Sequence, residues 1–295
     1  MPKKNFPVYN IEQFNHVEKE NDFYANTFPS HLKEHHFINT PHKHDFYLVV
    51  LFTKGKGKHE IDFLSYDIKP GSIFLLSPGQ THNWQLSKDI DGYVFFHTKD
   101  FYDLNFTTKK LKDYPFFSSI HNSPVLYLKT KTQEKTVLIF KEILQEYQEK
   151  KLMSVQKISS LVDVLYIDLS REYLPQKQQE NQNSNYISKL RKLESLIDLN
   201  YKTTKLPREY ASLMNMSEKH LNRICKTCLN KTTTDLISDR IILEAKRMLV
   251  QANYTVAEVA NELGYFDNAY FSRLFKKKYG KSAMEFMKKY ANKPI

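Results

Sequence analysis

The sequence predicts a two-domain α+β protein. An N-terminal antiparallel barrel of jelly-roll type carries two following helices. An all-α C-terminal domain holds two helix-turn-helix units joined by a long helix. Three observations predict this. Turn residues and short β-rich runs crowd into one stretch of the first half. Two apolar patterns of helical period come next. The C-terminal part then carries one local pattern twice, Leu221–Lys226 recurring as Phe271–Lys276 at an offset of 50 positions.

The chain of 295 residues is comfortable for two domains, each with its own core. Residues 1 to about 40 read as a partly extended arm. Of only seven glycines, Gly55, Gly57, Gly71, Gly79 and Gly92 fall close together. Between them lie the β-rich runs Phe46–Phe52, His59–Phe63, Ile73–Leu76 and Tyr93–Phe96. Turn chemistry separates the runs at Lys54–Gly57, Lys69–Gly71, Ser77–Gly79 and Asp91–Gly92. Short strands at such intervals form a small barrel or jelly roll.

Helical spacing takes over near Thr132. Val137, Leu138, Phe140, Ile143, Leu144 and Tyr147 mark one helix. Ile158, Leu161, Val162, Leu165, Tyr166 and Leu169 mark a second, with a break near Lys150–Ser154. Residues 175–185 contain no large apolar side chain and cannot bury a core. They are expected to be a flexible linker between a domain of residues 1–174 and one of 186–295.

In the second domain, Tyr186–Ile197 opens with a helix. Leu206–Met214 and Ser217–Cys228 make the first helix-turn-helix, with Ser217 as N-cap. Asp235–Gln251 is the long connection. Val256–Leu263 and Asp267–Tyr279 make the second unit, with Asp267 as N-cap, Gly264 ending its first helix and Gly280 its second. The first copy has Asn215 and Asn230 at the matching sites, and Asn is the next-best residue for a left-handed backbone.

Charge assigns a partner to this half. The chain carries 44 basic and 33 acidic residues, and residues 188–295 hold 21 and 11 of them. The first half is close to neutral. A basic domain on a neutral one points to a polyanion. Each recognition helix buries one face and offers polar side chains on the other. Lys219, Asn222, Arg223 and Lys226 are the candidates in the first, and Asn268, Ser272, Arg273 and Lys276 in the second. Asn pairs with adenine and Arg with guanine or phosphate, while Lys226, Lys276, Lys277 and Lys278 suit the phosphate backbone. A connecting helix of roughly 25 Å, at ~1.5 Å per residue, plus its turns, brings the recognition helices near the ~34 Å of one DNA turn.

The two cysteines, Cys225 and Cys228, fit a reducing compartment and helical i, i+3 core positions rather than a disulfide or a zinc site. The N-terminus has no apolar signal region and no run is long enough to span a membrane, so a cytoplasmic location without membrane partner is expected.

Residues 188–292 resemble the DNA-binding domain of the AraC-type transcription regulators. The stretch Tyr254–Gly280 carries the likeness through Ala260, Gly264, Tyr265, Asp267, Tyr270, Phe271, Arg273, Phe275, Lys276 and Gly280, and Arg240, Ala245 and Leu249 match the connecting helix. Asn230, Cys225 and Ala283 depart from the family pattern. The resemblance implies promoter DNA as partner, with RNA polymerase as a further contact.

In the first half, Pro41–His44 and Gly71–His82 resemble the two halves of a cupin barrel. In metal-dependent cupins His42, His44 and His82 would meet on one ion. The carboxylate that completes such a site is missing, because Tyr47 and Leu48 stand near its place. No metal or cofactor is therefore expected, and no catalysis. By the resemblance to AraC-type regulators, the barrel senses a small-molecule effector such as a sugar or another polar metabolite. His42, His44, His82, Trp84 and Tyr93 line its pocket, residues 1–30 fold over it, and helices 132–174 form a homodimer. Two other readings stay open: a metal-dependent cupin enzyme fused to a DNA-binding domain, and a ligand-independent DNA-binding protein with the barrel as scaffold.

Overall fold

The computed structural model describes residues 7–14, 22–35, 40–173, 184–250 and 254–291. It separates into two compact units, one within residues 7–177 and one within 178–295. Most of the linker expected over 175–185 lies outside the described residues, and Ser184–Asn185 already belong to a helix.

Among the described residues the N-terminal unit has ten strands: β1 (Val8–Tyr9), β2 (Phe23–Thr27), β3 (Lys43–His44), β4 (Tyr47–Lys54), β5 (Gly57–Ile61), β6 (Leu64–Ile68), β7 (Ser72–Leu76), β8 (His82–Leu86), β9 (Asp91–His97) and β10 (Val125–Tyr127). Five of them form one antiparallel sheet in the order β10-β7-β4-β9-β2. Three form a second, β6-β5-β8, and β1 pairs with β3 in parallel.

Alternation along the central strands sorts the side chains. Leu48, Val50 and Phe52 of β4, Phe74 and Leu76 of β7, and Val94 and Phe96 of β9 share a core with Ile61, Ile68 and Trp84 of the smaller sheet. The opposite set, Tyr47, Val49, Leu51, Ile73, Leu75 and Phe95, packs against helices. Burial on both faces is why these strands read as unbroken apolar runs.

The helices of this unit are α1 (Phe28–Glu34), α2 (Lys99–Asn105), α3 (Pro115–Ser118), α4 (Thr130–Glu149) and α5 (Ser154–Tyr173). Ile139, Phe140 and Ile143 of α4, and Ile158, Val162, Leu165, Tyr166 and Leu169 of α5, meet the outer face of the larger sheet. The apolar stripes that mark α4 and α5 in the sequence are thus largely spent on the barrel, although Leu138 remains 65% exposed.

Two expectations are corrected. The arm is partly built into the barrel: Phe23–Thr27 is the edge strand beside β9, and α1 follows it, with Thr27 as N-cap and Pro29 in its first turn. The strand expected over His59–Phe63 ends at Ile61, because Asp62 and Phe63 adopt left-handed φ values of 46° and 72° and turn the chain into β6. The Asp62 carboxylate holds that turn by accepting the Thr81 N–H at 3.1 Å.

The C-terminal unit is helical: α6 (Ser184–Asn200), α7 (Pro207–Leu213), α8 (Glu218–Leu229), α9 (Thr233–Leu249), α10 (Val256–Glu262), α11 (Asn268–Tyr279) and α12 (Ala283–Ala291). The caps explain the boundaries. The Ser217 hydroxyl accepts the His220 N–H, and the Asp267 carboxylate accepts the N–H groups of Ala269 and Tyr270 at 2.8 and 2.9 Å. Thr232 with Asp235 and Thr255 with Glu258 form capping boxes. Asn230 and Gly280 end α8 and α11 in left-handed conformation, as expected. Gly264 lies one residue beyond the C-cap of α10, Leu263. The connecting helix starts at Thr233 and ends at Leu249, two residues earlier at each end than its sequence pattern.

Candidate DNA interface and ligand site

Both helix-turn-helix units are fixed by apolar residues at helical spacing. Leu221, Ile224 and Cys225 of α8 are buried, as are Phe271 and Phe275 of α11. Cys228 is only half-buried, and the Cys225 thiol lies 3.5 Å from the Thr233 hydroxyl in a core contact. Burial pushes both thiols above their ordinary values, which keeps them protonated and poor metal ligands.

The opposite faces are polar. Lys219, Arg223 and Lys226 of α8, and Asn268, Ser272, Arg273, Lys276 and Lys277 of α11, are exposed. Two candidates are otherwise engaged. The Asn222 side-chain oxygen accepts the Thr233 N–H at 3.1 Å, so this residue joins α8 to the start of α9. The Lys278 ammonium sits 2.7 Å from Asp235 and 3.0 Å from Asp239, which removes it from the group suited to phosphate. Those contacts hold the Asp235 carboxyl well below the usual carboxylate range. Replacing Asn222 by Ala strands the Thr233 N–H. A loss of about 1 kcal/mol in stability is expected from chemical denaturation, with base preference unchanged.

Arg223 donates to the His220 ring at 2.8 Å, and its guanidinium lies 6.0 Å from the centre of the Tyr186 ring. Arg273 has a longer contact, 3.9 Å, to Asp267 across the first turn of α11. Both remain extended toward solvent. Sequence reading overlooked Phe266, which is 97% exposed just before the N-cap of α11. Its exposure follows from Tyr265 and Phe271 packing with each other and leaving the intervening turn outside.

Within the C-terminal unit the two helix-turn-helix elements are tied to each other. Lys205, in the loop before α7, donates to the carbonyls of Lys202 at 2.8 Å and of Leu263, at the end of α10, at 2.6 Å. Burial lowers its pKa to about 8.

In the barrel, the structure brings His42, His44 and His82 together, with one ring nitrogen of each within 4.8 Å of the others. His42 and His82 are adjacent through two backbone hydrogen bonds of 3.1 and 2.9 Å. His44 lies on β3, its ring stacked on Phe46 at 4.5 Å. Trp84 stands 4.7 Å from His82, ring centre to ring centre. A fourth imidazole, His59, completes the cluster through a 2.9 Å contact to His82 Nδ1. It was not singled out in the sequence, although its place between Lys58 and Glu60 gives it the inward parity of β5. His31 of α1 and His35, the C-cap of that helix, lie nearby, against Phe14, and share the Tyr24 hydroxyl at 3.0 and 3.3 Å.

Burial pushes the pKa of every histidine in the cluster down, to about 4 for His42, so the rings are neutral at pH 7. The His59 Nδ1 and Trp84 Nε1 atoms are buried without a hydrogen-bond partner. Such atoms in one interior point to an absent ligand or water. Tyr93 does not join them. It has the parity of Phe95, packs on Phe140 of α4, and lines an external hollow with Thr53, Val137 and Leu138. Leu48, near the place of a cupin carboxylate, is 1% exposed in the inner core.

Comparison with known proteins matches this arrangement part by part. Residues 210–289 match a family model described as a helix-turn-helix domain, and residues 29–105 match one described as an AraC-like ligand binding domain. The chain is 24% identical over 279 residues to the uncharacterized HTH-type transcriptional regulator YfiF of Bacillus subtilis, spanning 93% of this chain and 85% of that one. It is 23% identical over 288 residues to the Msm operon regulatory protein of Streptococcus mutans, spanning 97% and 98%. Among solved structures, unsaturated fatty acid bound ToxT from Vibrio cholerae superimposes with a TM-score of 0.44 at 13% identity, over 92% of this chain and 96% of that one.

Fold, site and relatives together define a DNA-binding transcription regulator with an N-terminal ligand-binding domain. The chain belongs to the AraC-type regulators. Among the described residues, no helix is long and apolar enough to cross a membrane.

Proposed function

We propose that this regulator reads promoter DNA with both recognition helices, in neighbouring major-groove segments, under control of a small polar effector bound in the barrel. The observation that carries the reading is the pair of matched helices whose exposed faces hold Lys219, Arg223 and Lys226 in one and Asn268, Ser272, Arg273 and Lys276 in the other. Arg223 and Arg273 have the reach and fork for a guanine edge. Asn268, at the N-terminal end of α11, is placed for an adenine. The exposed Phe266 ring suits a thymine methyl or a sugar. Lys226, Lys276 and Lys277 hold the backbone.

The effector contacts His42, His44, His82 and Trp84. Neutral imidazoles bond hydroxyls, and the unpartnered indole N–H of Trp84 supplies a further donor. Its binding shifts the balance between arrangements of the two units and so changes which half-sites a homodimer spans. The dimer forms through helices 132–174, where the exposed Leu138 supports a contact between copies. RNA polymerase is the expected further partner at the promoter.

Fluorescence anisotropy on fragments of the promoter that the chain controls tests this. Lys276→Ala is expected to weaken binding to all sequences alike and to lower the slope of log K against log salt by about one. Arg273→Ala is expected to cost about 1–3 kcal/mol and to relax preference at one base pair. Binding that is indifferent to both substitutions would remove α11 from the interface.

A further inference from the structure

We propose that the barrel binds one divalent transition-metal ion of the zinc class through His42, His44 and His82, with His59 as the partner that orients His82. The site shares these three histidines with the proposed effector pocket, so on this proposal the effector meets them through the ion rather than through direct bonds to the rings, and nothing in it depends on the operator. The three rings are buried, and two of them are anchored by the backbone pairing of His42 with His82.

Hydrogen bonds turn the right nitrogens inward. His42 Nδ1–H donates to the Thr40 carbonyl at 2.7 Å, which leaves the Nε2 lone pair for a ligand. His82 Nε2 and His44 Nε2 face each other at 2.7 Å. Two imidazole nitrogens at that distance share one proton; a metal would take its place, the proton passing to Nδ1 of the ring that carried it, so that both rings stay neutral and both Nε2 lone pairs meet the ion. Metal–nitrogen bonds of about 2.0–2.1 Å in a tetrahedral site set the nitrogens roughly 3.3 Å apart, so the His44 and His82 nitrogens part by about half an ångström while the His42 nitrogen, within 4.8 Å of them, closes in. His82 Nδ1–H then donates to His59 Nε2, the outer hydrogen bond that fixes a metal-bound imidazole.

The missing carboxylate counts against a metal at the level of sequence. Leu48 near its place leaves three neutral imidazoles, and such a set holds zinc with a fourth position open. Nitrogen donors alone favour zinc, copper, nickel or cobalt over magnesium or calcium. The open position would take an oxygen of a small anion or polar molecule, which gives a metal-centred route to the effector.

The test uses the full chain with Cys225→Ser and Cys228→Ser, so that thiolates do not contribute. After chelation and dialysis, Zn(II) is measured by elemental analysis and Co(II) by visible absorption. One equivalent of Zn(II) and a Co(II) spectrum of four-coordinate type are expected. His44→Ala should lose stoichiometric uptake while keeping the circular dichroism of its parent. His59→Ala should keep the stoichiometry and bind about 10–100-fold more weakly. Should a variant fail to fold, the parent's stoichiometry and Co(II) spectrum decide alone. Sub-stoichiometric uptake by the folded parent overturns the proposal. So does equal uptake by a folded variant lacking His42, His44 and His82.

Discussion

Replacing Gly264 by Ala is expected to remove DNA binding by disrupting the second helix-turn-helix. Gly264 adopts φ +76°, where an L side chain costs roughly 1–2 kcal/mol. An added Cβ would also lie 2.1 Å from the Lys202 carbonyl oxygen and 3.4 Å from the Lys205 ammonium. That carbonyl belongs to the loop that Lys205 ties to the end of α10, so neither side of the contact can yield alone. Overpacking of this kind adds about 1–3 kcal/mol, for a total of about 2–5 kcal/mol. Gly280→Ala is the control. Its φ is similar at +85°, yet nothing lies within 4 Å of the added atom, so only the backbone cost of roughly 1–2 kcal/mol is expected. Chemical denaturation followed by helical circular dichroism, beside operator binding, measures both. Equal losses for the two would show that close packing at the turn is unimportant.

Acid should destabilise the barrel well before its carboxylates titrate. His97 is buried on the outer face of β9, donating through Nδ1 to the Thr98 carbonyl and accepting the Tyr166 hydroxyl at Nε2, each at 2.7 Å. Burial lowers its pKa from 6.5 to about 4, against the smaller upward effect of the Thr98 bond. The unfolded chain therefore takes up this proton at a higher pH than the folded one. Stability is complete above the unfolded value of 6.5 and falls as pH drops toward about 4. The shift is worth about 3 kcal/mol in all, of which about 2 kcal/mol is lost by pH 5. Urea titrations followed by the fluorescence of Trp84, the single tryptophan, at pH 7 and pH 5 give the loss directly. His97→Gln should remove that increment from the difference between the two pH values. An unchanged difference would show that His97 is solvated or charged in the folded protein.

The sequence made some of this structure legible because the controlling contacts are local. Ser217, Asp267, Asn230 and Gly280 act within a turn of their own helices, and all four cap as expected. His42 and His44 are separated by a single residue, one just before a short strand and the other on it, and their meeting with His82 follows from the barrel pattern. What stayed hidden depends on distant partners or on strand parity. Asn222 reads as a groove-facing amide until Thr233, 11 residues on, takes its oxygen. Lys278 is claimed by Asp235 and Asp239, 43 and 39 residues away. Tyr93 lies in a strand buried on both faces, where apolar alternation gives no direction, and it turns out to face α4. The arm concealed Phe23–Thr27, a strand whose partner β9 is far along the chain.

The central claim is that α8 and α11 occupy neighbouring major-groove segments on one face of promoter DNA. Hydroxyl-radical footprinting of the full chain on its own promoter, with guanine methylation interference, tests it most directly. Two protected segments about one helical turn, ~10 bp, apart are predicted within each half-site. Arg223→Ala should lift interference in one segment and Arg273→Ala in the other. A single protected segment, or loss of both segments on either substitution without loss of fold, would contradict the account.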